Sequence, residues 1–275
     1  MNAASRPIGL FDSGIGGLTV AHRVMDLLPR ENTIYFGDTA RVPYGSKSNE
    51  TVIGYSLEAA AFLESLGVKM IIIACNTASA VALEHVRRSA SVPVIGVIEP
   101  GAGAAVEATR GGAVGVIGTE GTIRSDSYQQ AITALAPGTK VIAKACPLFV
   151  GFAEEGLGHH SATLIMAREY LAPLLARSID TLILGCTHYP LLVPSIGEIA
   201  GDRVVLIDPG IATARQVHDE LAGLGLLNES DAAPRHDYYL SDFPHKFIEI
   251  GSRFLGKPLD HVHRITLDEL AGYAR

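Results

Sequence analysis

The segment Ile71-Ile72-Ile73-Ala74-Cys75-Asn76-Thr77 returns in altered form as Leu182-Ile183-Leu184-Gly185-Cys186-Thr187-His188. Two further segments repeat in the same order. Ile8-Gly9-Leu10-Phe11 is matched by Val114-Gly115-Val116-Ile117, and Val97-Ile98-Glu99-Pro100-Gly101 by Leu206-Ile207-Asp208-Pro209-Gly210. Residues 34–36 pair more loosely with 141–143. The partners stay about 110 residues apart throughout, which marks an internal duplication rather than a chance match of one apolar run.

Within the first unit, apolar runs at 8–11, 34–36, 70–74 and 92–98 end in small or polar residues. Each is followed by a helical pattern: one from about 18 to 28, one ended by Gly67, one reaching Ala90 and one after Gly101. Strand and helix alternating in this way predict a parallel sheet with helices on both faces. The expected class is α/β, with two similar pseudo-symmetric domains, each a mostly parallel sheet flanked by helices. The expected division is 1–98 plus a returning segment 208–275 for the first domain, and 99–207 for the second. In the tail, a helix to about Leu224, a polar linker at 228–237, a strand at 238–240 and two helices are expected. No titratable cluster with catalytic spacing stands out there. Pro173 is expected to kink a helix over 163–177.

Composition narrows the function. Of 275 residues, 48% are hydrophobic and 19% charged, which supplies ample apolar surface to offset the entropy of ordering the chain. The net charge of -7, without a basic run, argues against nucleic acid as the primary partner. No apolar stretch reaches bilayer length, and the first seven residues hold one Arg and no apolar core. A cytoplasmic location is therefore expected, with no membrane partner and with the three cysteines as reduced thiols.

In a parallel α/β sheet, ligands bind beyond the carboxyl ends of the strands. There the sequence places Asp12-Ser13, Cys75-Asn76-Thr77, Cys146 and Cys186-Thr187-His188. If the halves face each other about a pseudo-two-fold axis, Cys75 and Cys186 approach one cleft from opposite sides. Such a pair suits removal of a proton from one face of a carbon and its return to the other. Each thiol precedes an expected helix, from Thr77 and from about Leu191, whose N-terminus would favour the thiolate. His188 is expected on the same side of an extended segment as Cys186, and Asp12 and His188 would shuttle protons or tune the thiols.

Plainer readings stand beside these. A lone cysteine at a strand end is commonly a small core residue, and Cys146, without a matched partner, takes that reading. Asp12 is alternatively a helix N-cap. His159-His160 reads as solvated, with no ligand spacing for a metal. Gly14-Ile15-Gly16-Gly17 with Asp38 partly matches a dinucleotide loop, but Asp12 would set a carboxylate beside the pyrophosphate. Asp38 itself reads as a loop hydrogen-bonding residue.

The segments Phe11-Asp12-Ser13-Gly14-Ile15-Gly16-Gly17, Pro43-Tyr44-Gly45, Ala74-Cys75-Asn76-Thr77-Ala78-Ser79, Val116-Ile117-Gly118-Thr119 and Gly185-Cys186-Thr187-His188-Tyr189-Pro190 together resemble the glutamate racemases. These belong to the cofactor-independent aspartate/glutamate racemase family. The resemblance implies interconversion of L- and D-glutamate for peptidoglycan, without pyridoxal phosphate or metal, by a homodimer with its active site between two domains. It implies Cys75 as the base toward D-glutamate and Cys186 toward L-glutamate, with Asp12, Glu154 and His188 assisting. Binding of substrate would fall on Asp12, Ser13, Tyr44, Gly45, Asn76, Thr77, Thr187 and His188, with hydroxyls added by Thr119 and Thr122. Val150-Gly151-Phe152-Ala153 departs from the family's usual run before its acid, which leaves Glu154 and Glu155 both open for that role. Aspartate or hydantoin racemisation, a dithiol redox role and a regulatory binding role are the competing readings. The short segment before the first strand leads to the expectation that a cell-wall precursor does not activate the enzyme.

Overall fold

The computed structural model describes residues 3–243 and 247–273. In chain order the first half runs β1 (Ile8–Asp12), α1 (Leu18–Leu27), β2 (Thr33–Gly37), α2 (Asn49–Ser65), β3 (Met70–Ile73), α3 (Asn76–Ser89) and β4 (Val94–Gly96). The second half follows as α4 (Ile98–Ala108), β5 (Ala113–Gly118), α5 (Glu120–Arg124), α6 (Ser127–Leu135), β6 (Val141–Ala145) and α7 (Leu148–Glu154). It continues through α8 (Ser161–Leu175), β7 (Ile179–Gly185), α9 (Val193–Ala200), β8 (Val205–Ile207) and α10 (Pro209–Gly223). The chain closes with β9 (His236–Leu240), α11 (Phe247–Leu255), β10 (Val262–Arg264) and α12 (Leu267–Ala271).

Two parallel sheets result, ordered β10-β9-β2-β1-β3-β4 and β6-β5-β7-β8. The order β2-β1-β3-β4 is the same pattern as β6-β5-β7-β8, so the repeat seen in sequence is a repeat of topology. β1 and β3 are buried at every position, as strands covered by helices on both faces must be, and this is why they read as unbroken apolar runs. The largest buried cluster joins Ile8, Leu10 and Ile72 from one sheet to Ile117, Leu182 and Leu184 from the other. Among the described residues no helix is long and apolar enough to cross a membrane.

The C-terminal segment adds β9 and β10 to the edge of the first sheet, β9 pairing with β2 from Thr33↔His236 to Gly37↔Leu240. Lys69, buried, fastens it further: its Nζ donates to Glu31 Oε2 at 2.5 Å, and to the main-chain oxygens of Ala4 at 2.6 Å and Leu226 at 2.8 Å. Three bonds and a counter-charge are what a buried ammonium requires.

Two details differ from expectation. The run 92–98 yields only a three-residue strand, because Ile98 already opens α4. Pro100 and Gly101 sit in that helix's first turns, where a missing N–H costs nothing, instead of terminating the strand. β10 was not anticipated, since three residues are too few to show alternation. Pro173 lies inside α8, as expected, two residues before its end.

Candidate active site

The ends of β1, β3, β5 and β7 face a cavity of about 370 Å³ whose walls include Asp12, Ser13, Cys75, Asn76, Thr77, Thr119, Cys186, Thr187 and His188. Tyr44, Gly45 and Glu154 line it as well. Of the expected residues only Thr122 stays outside the cavity.

Cys75 follows β3 by two residues and occupies the N-cap of α3, its Sγ accepting the Ala78 N–H at 3.5 Å and donating to Ser13 Oγ at 3.7 Å. That position was expected to favour a thiolate. Instead burial, with the neighbouring Asp12 carboxylate, pushes the thiol up to about 12 against the help of Ala78 and Ser13. Desolvation outweighs the helix terminus, so at neutral pH this thiol carries its proton.

Cys186 directly follows β7, and the helix expected from about Leu191 is preceded by a separate turn. Pro190 and Pro194 divide the segment into a 3₁₀ turn, Tyr189–Leu192, and α9, each proline taking an early position where its absent N–H is harmless. The charged neighbour of Cys186 is therefore a side chain: its Sγ lies 3.8 Å from His188 Nδ1. The His188 backbone is helical, φ -79 and ψ -29, so a turn, not an extended segment, brings the two together.

The other ring nitrogen, Nε2, lies 3.0 Å from Glu154 Oε1 at the last residue of α7. This places Glu154, not the exposed Glu155, against the site. Burial alone would lower the His188 pKa, but hydrogen bonds to Cys186 and Glu154 and their charges overcome it, and the imidazolium persists up to about 10. The two thiols thus have unlike surroundings, one beside a buried carboxylate and the other beside a cation.

Asp12 is buried, with Oδ2 accepting the Gly14 N–H at 2.9 Å and Oδ1 left without a partner. It does not cap α1, whose N-cap is Gly17 with no side-chain bond. Burial raises its pKa against the His188 charge and the N–H groups of Gly14, Gly17 and Ser13. The glycines after it serve packing: a Cβ on Gly16 would stand 2.5 Å from His188 Cε1, and one on Gly17 2.5 Å from Asp12 Cβ. Thr19, one turn on, donates to the main-chain oxygen of Thr187 at 2.8 Å and so ties this loop to the second half.

Hydroxyls line the opposite wall. Thr77 and Thr119 stand 3.0 Å apart across the two halves, and Thr122 completes a triangle at 3.3 Å and 3.1 Å. Thr122, behind the wall, supports the other two. Asn76 is fixed through Oδ1 by the Tyr128 hydroxyl at 2.6 Å. Tyr44 donates to Asp38 at 2.5 Å, and Asp38 also accepts from Arg41 and Ser241 at 2.7 and 2.8 Å, a buried hub that holds the 42–46 wall.

Sequence reasoning missed the apolar side of the cavity, formed by Val42, Pro43, Pro147, Val150 and Gly151. Val150, Gly151 and Glu154 recur at helical spacing on α7, with Pro147 at its N-cap, a signal that was available. Cys146 is fully buried in the main cluster and pushed up to about 12 by burial, in keeping with a core residue. His160 caps α8, its Nδ1 accepting the Ala162 N–H at 3.1 Å. Among the described residues no group of three or more His, Cys, Asp or Glu side chains is placed to hold a metal ion.

The profile of the Asp/Glu/Hydantoin racemase family matches residues 19–217. The chain belongs to this family. Among its relatives in the racemase family, a glutamate racemase of Geobacter metallireducens is 52% identical over 263 residues, 96% of this chain and 97% of the relative. A Neisseria meningitidis glutamate racemase is 48% identical, covering 95% of this chain and 97% of its own. Of solved structures, glutamate racemase from Francisella tularensis in complex with D-glutamate superposes with a TM-score of 0.90 at 41% identity, covering 96% of this chain and 99% of that one. The Thermus thermophilus enzyme in complex with beta-chloro-D-alanine gives 0.88 at 43% identity, covering 97% and 99%.

Proposed function

We propose that this racemase interconverts L- and D-glutamate by two-base proton transfer, supplying D-glutamate for peptidoglycan. The observation that carries the proposal is the pair Cys75 and Cys186, at equivalent positions of the repeated halves and on the wall of one cavity. Near-complete coverage by relatives named glutamate racemase supports the choice of substrate.

In this reading Cys186 takes the α-proton of L-glutamate while Cys75, held as a thiol, delivers a proton to the other face; the reverse reaction exchanges their roles. His188, backed by Glu154, stabilises negative charge on Cys186, and Asp12 serves the Cys75 side. Ser13, Asn76, Thr77, Thr119, Thr187 and the main chain at Tyr44-Gly45 bind the ammonium and carboxylate groups through neutral donors and acceptors, with Thr122 supporting Thr77 and Thr119. No cofactor takes part in this scheme. The carbanion next to a carboxylate is made tolerable by orientation and by exclusion of water, so the halves are expected to close on the ligand. We assign 1–98 plus 208–275 to one domain and 99–207 to the other, and place the enzyme in the cytoplasm as a homodimer.

The test is L-glutamate in deuterated water with the wild type, Cys75→Ala and Cys186→Ala, without added cofactor. Loss of optical rotation with deuterium entering the α-carbon, and a fall of roughly a thousandfold or more in both variants, supports the scheme. A wild type that leaves glutamate unchanged but racemises aspartate or a hydantoin overturns the substrate assignment.

A further inference from the structure

The C-terminal segment showed no catalytic spacing in sequence, yet α11 reaches the acid–base pair of the other half. Arg253 Nη1 donates to the main-chain oxygen of Glu154 at 2.9 Å, across 99 residues of chain. Its guanidinium lies over the turn at Gly156, where φ is +71, a conformation that favours glycine, and a Cβ would stand 2.7 Å from Nη1. The next residue, Phe254, sets its ring edge-to-face on His188, with centroids 5.1 Å apart and planes at 80°. The same helix is buried against the first half: a Cβ at Gly251 would stand 3.3 Å from Leu18 Cδ1 of α1. One helix therefore holds the rear of both Glu154 and His188 while resting on the element that follows Asp12.

We propose that Arg253 and Phe254 are positioning residues for proton transfer at Cys186: together they fix the His188–Glu154 pair without touching substrate. Arg253 places a cation and a donor at the C-terminal end of α7: the carbonyls of Gly151, Phe152 and Ala153 accept main-chain N–H groups of the following turn, and that of the last residue, Glu154, accepts from Arg253, where the helix dipole favours positive charge. Releasing that end frees the residue whose carboxylate meets His188. Phe254 fixes the ring plane and keeps water from its rear face, which maintains the strength of the bonds to Cys186 and Glu154. Cys75 has no contact with this helix among the bonds described, so the two thiols depend on it unequally.

This inference rests on the racemase reading, and the experiment separates the two. Arg253→Ala, Arg253→Lys and Phe254→Leu are compared with the wild type using L- and D-glutamate carrying deuterium at the α-carbon. Arg253 is partly exposed and Phe254→Leu keeps an apolar side chain, so the variants are expected to fold; thermal unfolding checks this. The expected result for Arg253→Ala is a fall in kcat of roughly tenfold to a hundredfold with little change in KM. The isotope effect should rise with deuterated L-glutamate, whose proton Cys186 removes, and fall with deuterated D-glutamate. Arg253→Lys, which keeps a donor for the Glu154 carbonyl, should recover most of the rate. In a Glu154→Gln background Arg253→Ala should add little, because both act through one pair. Equal isotope effects in both directions, or full additivity with Glu154→Gln, overturns the positioning role while leaving the racemase assignment intact. A wild type inactive on glutamate overturns that assignment and this inference with it.

Discussion

Cys75 caps the helix that follows it, its Sγ accepting the Ala78 N–H at 3.5 Å. In the proposed scheme cap and acid–base functions share one atom, and substitution separates them. Cys75→Ser keeps an N-cap acceptor and is expected to match the wild type in stability while losing racemisation. Cys75→Ala loses both, with a stability deficit of about 0.5–2 kcal/mol. Urea unfolding beside a racemisation assay checks this; equal stability of the two variants would remove the cap from the account.

Gly16 is the point where the loop after β1 meets His188. In Gly16→Ala the added methyl, 2.5 Å from His188 Cε1, must displace the imidazole or the loop. A stability loss of about 1–3 kcal/mol is expected. Racemisation should fall further than Gly54→Ala, whose Cβ meets nothing within 4 Å. Comparable activity in the two variants would refute the packing argument.

His188 links the site to pH. Its pKa rises on folding from 6.5 to about 10, so the proton it holds stabilises the native state fully below pH 6.5. That contribution is lost progressively as pH rises toward 10. The stability gap between wild type and His188→Asn should therefore be widest near pH 6 and narrow by pH 10. A gap that is constant across this range in urea titrations would show that the imidazole does not gain its proton on folding.

Tyr128 is buried with its hydroxyl 2.6 Å from Asn76 Oδ1. Tyr128→Phe leaves that carbonyl oxygen without its donor, at an expected cost of about 1–3 kcal/mol. Freed Asn76 should also raise KM more than it lowers kcat. Steady-state kinetics in both directions would show the split.

The repeat, the parallel order and the two thiols were legible because parallel strands buried on both faces write themselves as apolar runs, and a duplicated strand end duplicates its cysteine. Other features depend on what meets across the molecule. Nothing local in Cys75 announces that Asp12 and burial outweigh its helix, and nothing near Arg253 announces Glu154. The choice between Glu154 and Glu155 needed the face of α7, and the 3₁₀ turn after His188 needed the joint effect of Pro190 and Pro194. Gly16 and Gly17 carried a visible signal whose cause, the side chains of His188 and Asp12, lies beyond their own loop.

The doubled architecture also bears on chirality. A two-fold rotation exchanges Cys75 with Cys186, but mirror-image substrates are related by reflection, and no rotation performs one. Glutamate has unlike ends, so a pocket that accepts both hands must hold those ends fixed while only the proton changes sides. The second half differs at the matching positions: β1 ends at Asp12 and is followed by Ser13, whereas β5 ends at Gly118 and is followed by Thr119, so the hydroxyl has a counterpart and the Asp12 carboxylate has none. The two halves share their thiols and differ in the rest of the wall; in the proposed scheme handedness is handled by the pair and molecular direction by their differences.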